Sequence, residues 1–267
     1  MSNEKLTYRN LGPLAEGGMA KLERIVLSDG KPAVLRQMKS LKLLNFRQRN
    51  FFKRGAEIRA ALTPHPNIVG SLEIGHHFLA PYEIIEFVPG KPLRNLMTEN
   101  DSLLKLNTEH ILLEMAEALA WVHDNGYMHL DVKPENFLLQ RKGDSYIVKL
   151  TDFDLSRKRA DHGPHRQYGT PGYMAPEQFK RHKCHQASDV FAFGIIAYQL
   201  LTGRRPFNGK TPKDMWRHQA SRRHPPRPLH DYVPNINSKL EYVILTCLNK
   251  EREKRYHDMR QVLNALK

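Results

Sequence analysis

The chain has 267 residues and 40% of them are hydrophobic, which is enough to build a packed globular core. No apolar run approaches the length of about 18 residues that a membrane span needs, and the first residues are polar, so we predict neither a membrane span nor a signal peptide. The two cysteines, Cys184 and Cys247, are too few and too far apart for a disulfide scaffold, which favours a cytoplasmic location. The formal net charge of +14 favours acidic partners (carboxylate-rich or phosphorylated proteins, nucleic acid, anionic lipid), although charge that serves solubility alone would look the same.

The N-terminal part of the chain has the pattern of strands around one helix. Short alternating runs with glycine turns over residues 7–40 predict a β-meander, residues 45–62 predict an amphipathic helix, and 68–74 and 81–88 predict two more strands. After Pro89 and Gly90 the pattern becomes mainly helical, with an apolar stretch at 195–201 that is typical of a buried helix. We therefore expect an α+β chain of two lobes, a β-rich N-lobe at 1–88 and a mainly helical C-lobe at 89–267.

The most informative stretch is residues 129–139, which read HLDVKPENFLL and fit the pattern H-x-D-x-x-x-x-N. In this pattern the aspartate, Asp131, accepts the proton of a substrate hydroxyl, and the asparagine, Asn136, holds a magnesium ion on the transferring phosphate. The apolar residues after Asn136 predict a short strand that fixes the loop against a core. The spacing therefore points to phosphoryl transfer.

Further motifs follow in the order and at the separations of one family. They are DFD at residues 152–154, where the family has D-F-G, GTPGYMAPE at 169–177, and SDVFAFG at 188–194. Arg255 stands where the family keeps an arginine that pairs with the glutamate of its A-P-E motif, here Glu177. Over roughly its whole length the chain resembles the Ser/Thr protein kinases. The motif sequences of its C-terminal half most resemble those of the bacterial branch. The resemblance implies a bilobal protein-kinase-like fold with one main helix in the N-lobe.

The resemblance also assigns roles to particular residues. Asp131 and Lys133 are the catalytic candidates, as the base and as the cation that neutralises the transferred phosphate. Asn136 and Asp152 are the candidate magnesium ligands. The nucleotide-binding positions fall at Gly17, Gly18, Val34, Arg36, Glu86 and Val88. ATP and magnesium are the implied cofactors of an active chain, and an inactive chain would need none.

Several nucleotide-binding positions depart from the family. The glycine-rich loop G-x-G-x-x-G appears as AEGGMA at residues 15–20, and the flanking alanines narrow the approach of backbone to phosphate. The strand that carries the phosphate-anchoring lysine reads AVLR at 33–36, so Arg36 takes the lysine position and Val34 crowds the adenine. A register shift of one residue would put Leu35 at the lysine position instead, which strengthens the case against ordinary ATP binding.

The helix that normally supplies a glutamate to the lysine has lost it. Gly55 stands at the glutamate position, and Glu57, about 200° further round the helix, is expected to point away. The ion pair of the active arrangement is therefore missing at both ends. Asp154 replaces the glycine of D-F-G, and one hypothesis is that Asp154 or Asp152 pairs with Arg36 and closes the pocket.

Switching by loop phosphorylation is not expected. Leu130 replaces the arginine that receives the activating phosphate in the family, and residues 157–167 contain no Ser, Thr or Tyr. Thr170 fits a role as part of the substrate-loop scaffold. Basic residues cluster at Arg47, Arg49, Lys53, Arg54 and Arg59, at 157–159, and at Arg217, Arg222 and Arg223. The first cluster indicates either a docking surface for an acidic partner or a solvated helix face.

These departures favour a pseudokinase or a strongly impaired kinase with a regulatory, partner-binding role. One alternative is an active Ser/Thr kinase that transfers the ATP γ-phosphate with Asp131, Lys133, Asn136 and Asp152, and with Arg36 in place of the lysine. Another is a polyanion-binding module that uses the basic surface to hold nucleic acid or anionic lipid. The retained catalytic-loop residues do not decide between an active and an inactive chain. They would persist in either, because they are also expected to tie the loop together by hydrogen bonds.

Overall fold

The computed structural model describes residues 5–39, 43–78, 80–161, 169–180 and 184–267. The chain divides into two units, the first formed by Met1–Pro89 with Thr151–Asp154, and the second by Gly90–Leu150 with Leu155–Lys267. The segment 151–154 thus belongs to the first unit, although it follows strands of the second unit in sequence. The lobe division at residues 88 and 89 stays a prediction.

The first unit is a five-stranded antiparallel sheet with one helix packed on it, and its strand order is β1-β2-β3-β5-β4. The elements are β1 (Tyr8–Glu16), β2 (Ala20–Leu27), β3 (Pro32–Met38), α1 (Phe46–Leu62), β4 (Ser71–His77) and β5 (Ala80–Glu86). Helix α1 begins after Asn45, whose side chain accepts a hydrogen bond from the Gln48 N–H, and ends before the Thr63–Pro64 pair, which disfavours helix. The predicted meander and helix are confirmed, and the two later strands are shifted from 68–74 and 81–88 by a few residues.

The two faces of this sheet bury different kinds of residue. One face forms an apolar core from Ile25, Ala33, Leu35, Tyr82 and Ile84. Because side chains alternate across a strand, Arg36 of β3 and Glu83 of β5, which lie opposite each other in the register, project from the other face toward α1. Arg36, rather than Leu35, is therefore the β3 residue that faces the helix, so the one-residue register shift is wrong.

The second unit is mainly helical, with small sheets formed by β6-β8-β9 and β7-β10. Its strands are β6 (Lys91–Pro92), β7 (Tyr127–Met128), β8 (Phe137–Lys142), β9 (Ser145–Leu150) and β10 (Arg157–Lys158). Its helices are α2 (Leu93–Glu99), α3 (Ser102–Leu106), α4 (Thr108–Asp124), α5 (Pro176–Lys180), α6 (Gln186–Thr202), α7 (Pro212–Ala220), α8 (Ser238–Cys247) and α9 (Met259–Leu266).

Helix α6 is the buried helix that the apolar stretch at 195–201 predicted. Residues 186–199 of this helix are all buried, and the helix ends at Gly203, whose φ of 66° is a left-handed conformation that glycine adopts easily. The predicted α+β class and the short strand after Asn136, which is β8, are confirmed. Among the described helices, none combines the length and the hydropathy that crossing a bilayer requires.

Candidate active site

The catalytic loop of the second unit lies between β7 and β8 and is centred on Asp131. Lys133 Nζ donates to Asp131 Oδ2 at 2.5 Å, and Asn136 Nδ2 donates to the Asp131 carbonyl oxygen at 2.8 Å and to Oδ2 at 3.3 Å. Thr170 Oγ1 donates to the other carboxylate oxygen, Oδ1, at 3.0 Å. The structure thus brings together the three residues of this loop that the sequence selected, and Thr170 joins the segment after residue 168 to them.

The backbone of this loop is held from α6. Leu130 has a φ of 64°, a left-handed conformation that is costly for a bulky side chain and persists only when its surroundings fix it. Asp189 supplies that restraint, because Oδ2 accepts from the His129 N–H and Oδ1 from the Leu130 N–H, both at 2.8 Å. Asp189 Oδ2 also lies 2.9 Å from His123 Nε2. The strained turn therefore depends on buried contacts that Lys133 and Asn136 do not provide.

A second buried contact of this unit joins Glu177 to Arg255. Arg255 Nη1 donates to Oε1 at 3.0 Å and Nη2 to Oε2 at 2.7 Å, so the guanidinium grips both oxygens of the carboxylate. Burial raises the pKa of Glu177, the hydrogen bonds and charge of Arg255 lower it, and the net result is a pKa below the usual value. The pairing predicted from the A-P-E motif is confirmed.

Arg36, at the lysine position of the first unit, is enclosed and only 7% exposed. Its Nη1 donates to Glu83 Oε1 at 2.8 Å and its Nη2 to Asp154 Oδ2 at 2.5 Å, while Asp152 Oδ1 lies 3.9 Å from Nη2. The guanidinium carbon sits 4.5 Å from the centre of the Phe52 ring. The hypothesis that an aspartate of the DFD motif pairs with Arg36 is confirmed, with Asp154 as the closer partner.

A second arginine of the first unit, Arg59 of α1, shares Glu83. Its Nε donates to Glu83 Oε2 at 3.2 Å, its Nη1 donates to Thr151 Oγ1 at 3.2 Å, and the residue is 1% exposed. The sequence interpretation placed Arg59 among surface cations, which is wrong because residue 59 is one helical turn after Gly55 on the buried face. The signal was available, since Phe52, Gly55 and Arg59 share one helical stripe.

Glu83 was also missed as a site residue. It is fully buried and lies between the two arginines. Side chains along a strand point alternately to its two faces, and in the run PYEIIEFV this alternation places Glu83 on the face toward the helix. That pattern could have identified Glu83 from the sequence. The helix of this chain therefore contributes a cation, and the sheet contributes the carboxylate that receives it.

These four side chains form a charge-balanced group, called here the charged core: Arg36, Arg59, Glu83 and Asp154. Buried charges are tolerated when they are paired, and two guanidinium groups meet two carboxylates. Burial raises the pKa of Asp154 to about 6, with Asp152 adding to the rise and Arg36 opposing it. Asp154 Oδ1 is buried without a hydrogen-bond partner among the described residues. The nearby carboxylates outweigh burial and raise the pKa of Arg36, so it stays charged.

Gly55 of α1 lies directly against Asp154. A Cβ atom on residue 55 would lie 2.8 Å from Asp154 Oδ1 and 2.9 Å from both its Cα and its backbone nitrogen. Rotating the Asp154 side chain cannot relieve contacts that involve backbone. A larger residue at 55 and this position of Asp154 are therefore incompatible. Glu57 is exposed, as predicted.

The glycine-rich loop forms the turn between β1 and β2. Gly17 N–H donates to the Ala20 carbonyl at 2.9 Å, and both Gly17 and Gly18 are exposed. A Cβ atom on Gly18 would meet no described atom within 4 Å, and one on Gly17 would meet only the Ala20 oxygen at 3.6 Å. Packing within the chain does not require either glycine, so their small size is available to a ligand's phosphates.

The remaining nucleotide positions are largely engaged within the first unit. Val34 and Val88 are buried, at 5% and 8% exposure. Glu86 Oε2 accepts from the Gly70 N–H at 3.0 Å, and the Glu86 N–H donates to the Gly70 carbonyl at 2.9 Å. These contacts tie the end of β5 to the residue before β4 and identify no ligand.

The predicted cofactors fit the described residues unequally. Asn136 in the second unit and Asp152 in the first each offer an oxygen atom, the donor type that magnesium prefers, and the Asp152 side chain is 41% exposed. Within the described ranges, no group of three His, Cys, Asp or Glu side chains forms a metal site by itself. The phosphate anchor does not fit, because both terminal nitrogens of Arg36 already donate to carboxylates, Nη1 to Glu83 and Nη2 to Asp154.

A cavity of about 900 Å³ in the second unit is separate from these residues. It is lined by parts of α2 and α3, the start of α4 and the end of α6. Neither Asp131 nor Lys133 lines it. Its volume therefore says nothing about phosphoryl transfer.

Comparison with known proteins decides the family. The protein kinase domain family matches residues 8–265. The chain belongs to the protein kinase family. The predicted protein-kinase fold, with a β-rich N-terminal part and a mainly helical C-terminal part, is confirmed. The loop predicted to lack phosphorylatable residues lies partly outside the described residues, which omit 162–168.

Relatives of this kinase domain are bacterial serine/threonine-protein kinases. Pkn1 of Myxococcus xanthus is 37% identical over 218 residues, covering 79% of this chain and 31% of the relative. A probable serine/threonine-protein kinase of Streptomyces coelicolor is 32% identical over 259 residues, covering 92% and 37%. A probable PknB of Lactococcus lactis is 29% identical over 268 residues, covering 96% and 41%. This kinase domain therefore spans between 31% and 41% of the length of these relatives.

Proposed function

We propose that this kinase domain is a pseudokinase, or a strongly impaired kinase, whose role is regulatory and depends on binding a partner protein. The observation that carries the proposal is the double engagement of Arg36 by Glu83 and Asp154. A phosphate that recruited Arg36 would have to separate it from two buried carboxylates. Breaking a buried ion pair typically costs about 3–5 kcal/mol.

The contact of Gly55 with Asp154 supports the same proposal. The family's active arrangement needs a glutamate on this helix and a lysine on β3. In this chain Asp154 fills the space that a side chain at residue 55 of the helix would need. The lysine position on β3 holds Arg36, whose charge Asp154 neutralises. The two departures are therefore parts of one alternative packing.

A thermal-shift titration with ATP, with and without magnesium, tests the proposal. A ligand at a hundred times its dissociation constant adds about 2.7 kcal/mol to the free energy of unfolding. We expect no magnesium-dependent shift of the unfolding temperature for the wild-type domain. A clear magnesium-dependent shift, together with phosphate transfer to a protein substrate that Asp131→Ala abolishes, would refute the proposal.

A combined reversion provides the positive control. The variant Arg36→Lys/Gly55→Glu/Asp154→Gly restores the family's lysine, glutamate and glycine together. We expect a magnesium-dependent ATP shift in this variant and none in Arg36→Lys alone. Glycine at residue 154 frees the backbone to move away from the larger residue at position 55, whereas the single variant leaves the lysine facing Asp154 and Glu83 without the helix glutamate. An equal response of the two variants would mean that the charged core does not control nucleotide binding.

The second candidate function is an active Ser/Thr protein kinase that uses ATP and magnesium. It is favoured by the geometry around Asp131, which is hydrogen-bonded to Lys133, Asn136 and Thr170. The names of the relatives agree with it. The Asp131→Ala comparison above decides between the two.

The third candidate is a polyanion-binding module, which the net charge of +14 favours. Retention on nucleic acid or anionic lipid that falls steeply with salt would support it, whereas retention that is indifferent to salt would count against it. The predicted cytoplasmic location stays a prediction.

A further inference from the structure

One side of α1 carries an exposed aromatic residue and two half-buried cations that the charged core does not use. Phe46, Arg49 and Lys53 are spaced by three and four residues, so they lie on one stripe of the helix. Phe46 is 76% exposed, which is unusual for an aromatic side chain on a helix that is otherwise packed. The buried stripe with Phe52 and Arg59 lies on a different side of the same helix.

The two cations of this stripe have no acidic partner among the described residues. Arg49 Nε is enclosed and forms no hydrogen bond within the described chain, so its donor is unsatisfied. The first turn of α1 contains no acidic residue that would neutralise the positive end of the helix dipole. Glu57, one turn after Lys53, forms no ion pair with it within the described ranges.

Strand β4 extends this stripe into a patch. His76 and Ile74 lie opposite Pro81 and Glu83 in the β4–β5 register, so they face the same side of the sheet as α1. Burial lowers the pKa of His76, and the charges of Lys53, Arg49 and Lys5 lower it further. This agrees with the packing of α1 against β4. The acid on the neighbouring position, Glu73, is held by the Leu6 N–H and the Tyr82 hydroxyl.

The α1–β4 patch is defined by six residues: Lys5, Phe46, Arg49, Lys53, Ile74 and His76. We propose that it is a docking surface for an acidic peptide segment of a partner protein that carries an aromatic or aliphatic side chain. The charge complementarity follows from Lys5, Arg49 and Lys53, and the apolar contact from Phe46 and Ile74. The proposal gives the partner-binding role under Proposed function a location and rests on that role.

The size and composition of the patch select a peptide over a polyanion. Phe46 and Lys53 are seven residues apart, which is only about 10 Å along a helix. Binding of nucleic acid rests on many phosphate contacts, and a polybasic lipid site uses roughly four to eight cations. Three cations interleaved with two exposed apolar side chains match a few carboxylates around one hydrophobic residue.

Fluorescence polarisation with a fluorescein-labelled synthetic peptide of glutamate and phenylalanine residues tests this proposal. We expect binding to the wild-type domain, a loss of at least about tenfold in affinity in Arg49→Glu/Lys53→Glu, and a smaller loss in Phe46→Ser. A tenfold loss corresponds to about 1.4 kcal/mol. The matched control is Lys210→Glu/Lys213→Glu, which makes the same change in net charge at two exposed lysines of the second unit and should leave affinity unchanged.

The milder variant Arg49→Gln/Lys53→Gln is made as well, and its unfolding temperature is measured. A loss of affinity at an unchanged unfolding temperature then reflects the removed charges and not unfolding of the domain. Equal binding by the wild type and the α1 variants, or no binding by the wild type, overturns the proposal. So does tighter binding of single-stranded DNA or phosphatidylserine vesicles through the same residues. Because the assay contains no nucleotide, its outcome is independent of the ATP titration: a domain that binds ATP can keep the peptide site, and a pseudokinase can lack it.

Discussion

The charged core of the first unit and the catalytic loop of the second unit use similar side chains in different ways. The charged core draws its members from four separate segments, namely β3, α1, β5 and residues 151–154. The catalytic loop draws Asp131, Lys133 and Asn136 from one short stretch, and its strained backbone is held separately by Asp189. The side chains of the charged core therefore hold several segments together. Those of the catalytic loop can be substituted while Asp189 still fixes the backbone.

The comparison also shows which half of the family's machinery has been rebuilt. The second unit keeps the family's residue types at Asp131, Lys133, Asn136, Glu177 and Arg255, along with their local hydrogen bonds, although Leu130 departs from the family. The first unit keeps the sheet and helix but has exchanged the partners at their interface, so that Arg59 and Glu83 now join α1 to β5. The expected effects below run from the largest to the smallest.

Arg36→Met should lower the free energy of unfolding by about 3–5 kcal/mol, because it leaves Glu83 and Asp154 with one cation fewer in a buried site. Lys133→Met, the matched change in the catalytic loop, should cost about 1 kcal/mol, since it removes a contact of a side chain that is 20% exposed. Urea denaturation of both variants measures the difference. Equal losses would mean that the two regions do not differ in the way described.

Glu177→Gln tests a buried pair of the second unit and should cost about 1.5–3 kcal/mol at neutral pH, because a hydrogen-bonded charge is lost from Arg255. The folded-state pKa of Glu177 is lowered, so its stabilisation is present above the unfolded-state pKa of about 4.3 and is lost as pH falls through the folded-state pKa. Urea denaturation at a series of pH values should show the wild type and the variant converging in acid. A pH-independent gap would contradict the ion pair.

Gly55→Ala should lower the free energy of unfolding by about 1–3 kcal/mol, because the added methyl group meets the backbone of Asp154. The same substitution made together with Asp154→Gly should cost less, because it removes the contact with Oδ1 and lets the more flexible glycine backbone move away from the added methyl group. A double-mutant cycle by chemical denaturation should therefore give a coupling energy of about 1 kcal/mol or more. Additive effects would show that the contact is absent.

Thr170→Val should have the smallest effect, about 0.5–1.5 kcal/mol, because it removes one hydrogen bond to Asp131. Thr98→Val, whose hydroxyl donates to the Arg94 carbonyl on an exposed helix, is the matched control and should cost less. Thermal denaturation of the two variants provides the measurement. A larger loss at residue 98 than at 170 would reverse the assigned importance.

The sequence predicted the fold and half of the site because those features leave local signals. The catalytic loop, the A-P-E motif and the DFD motif are contiguous, and the helix and strands follow their periodicities. The pairing of Arg36 with Asp154 could be proposed because both positions depart from the family at known places. The Arg255–Glu177 pair was predictable for the same reason, since both positions keep the family's residues.

The rest was hidden because it depends on which strands and helices meet. Arg59 looked like one more cation in a basic helix, and only its neighbours on the buried stripe separate it from Arg49 and Lys53. Glu83 lies in an apolar strand and finds its partners on β3 and α1, far away in sequence. The alternation of side chains along a strand and the spacing along a helix can show that such residues face inward. Which residues they contact depends on how the strands and the helix pack together in three dimensions.

The close contact between Gly55 and Asp154 makes substitutions at the two positions interdependent. A mutation that returned glutamate to residue 55 would be rejected while Asp154 remains, and a mutation that removed Asp154 first would leave Arg36 short of a partner. Each single step therefore leads through a less stable protein. A scan of single substitutions would therefore score residues 36, 55 and 154 as intolerant, and the family's lysine–glutamate pair can be built in this chain only by changes at several codons together.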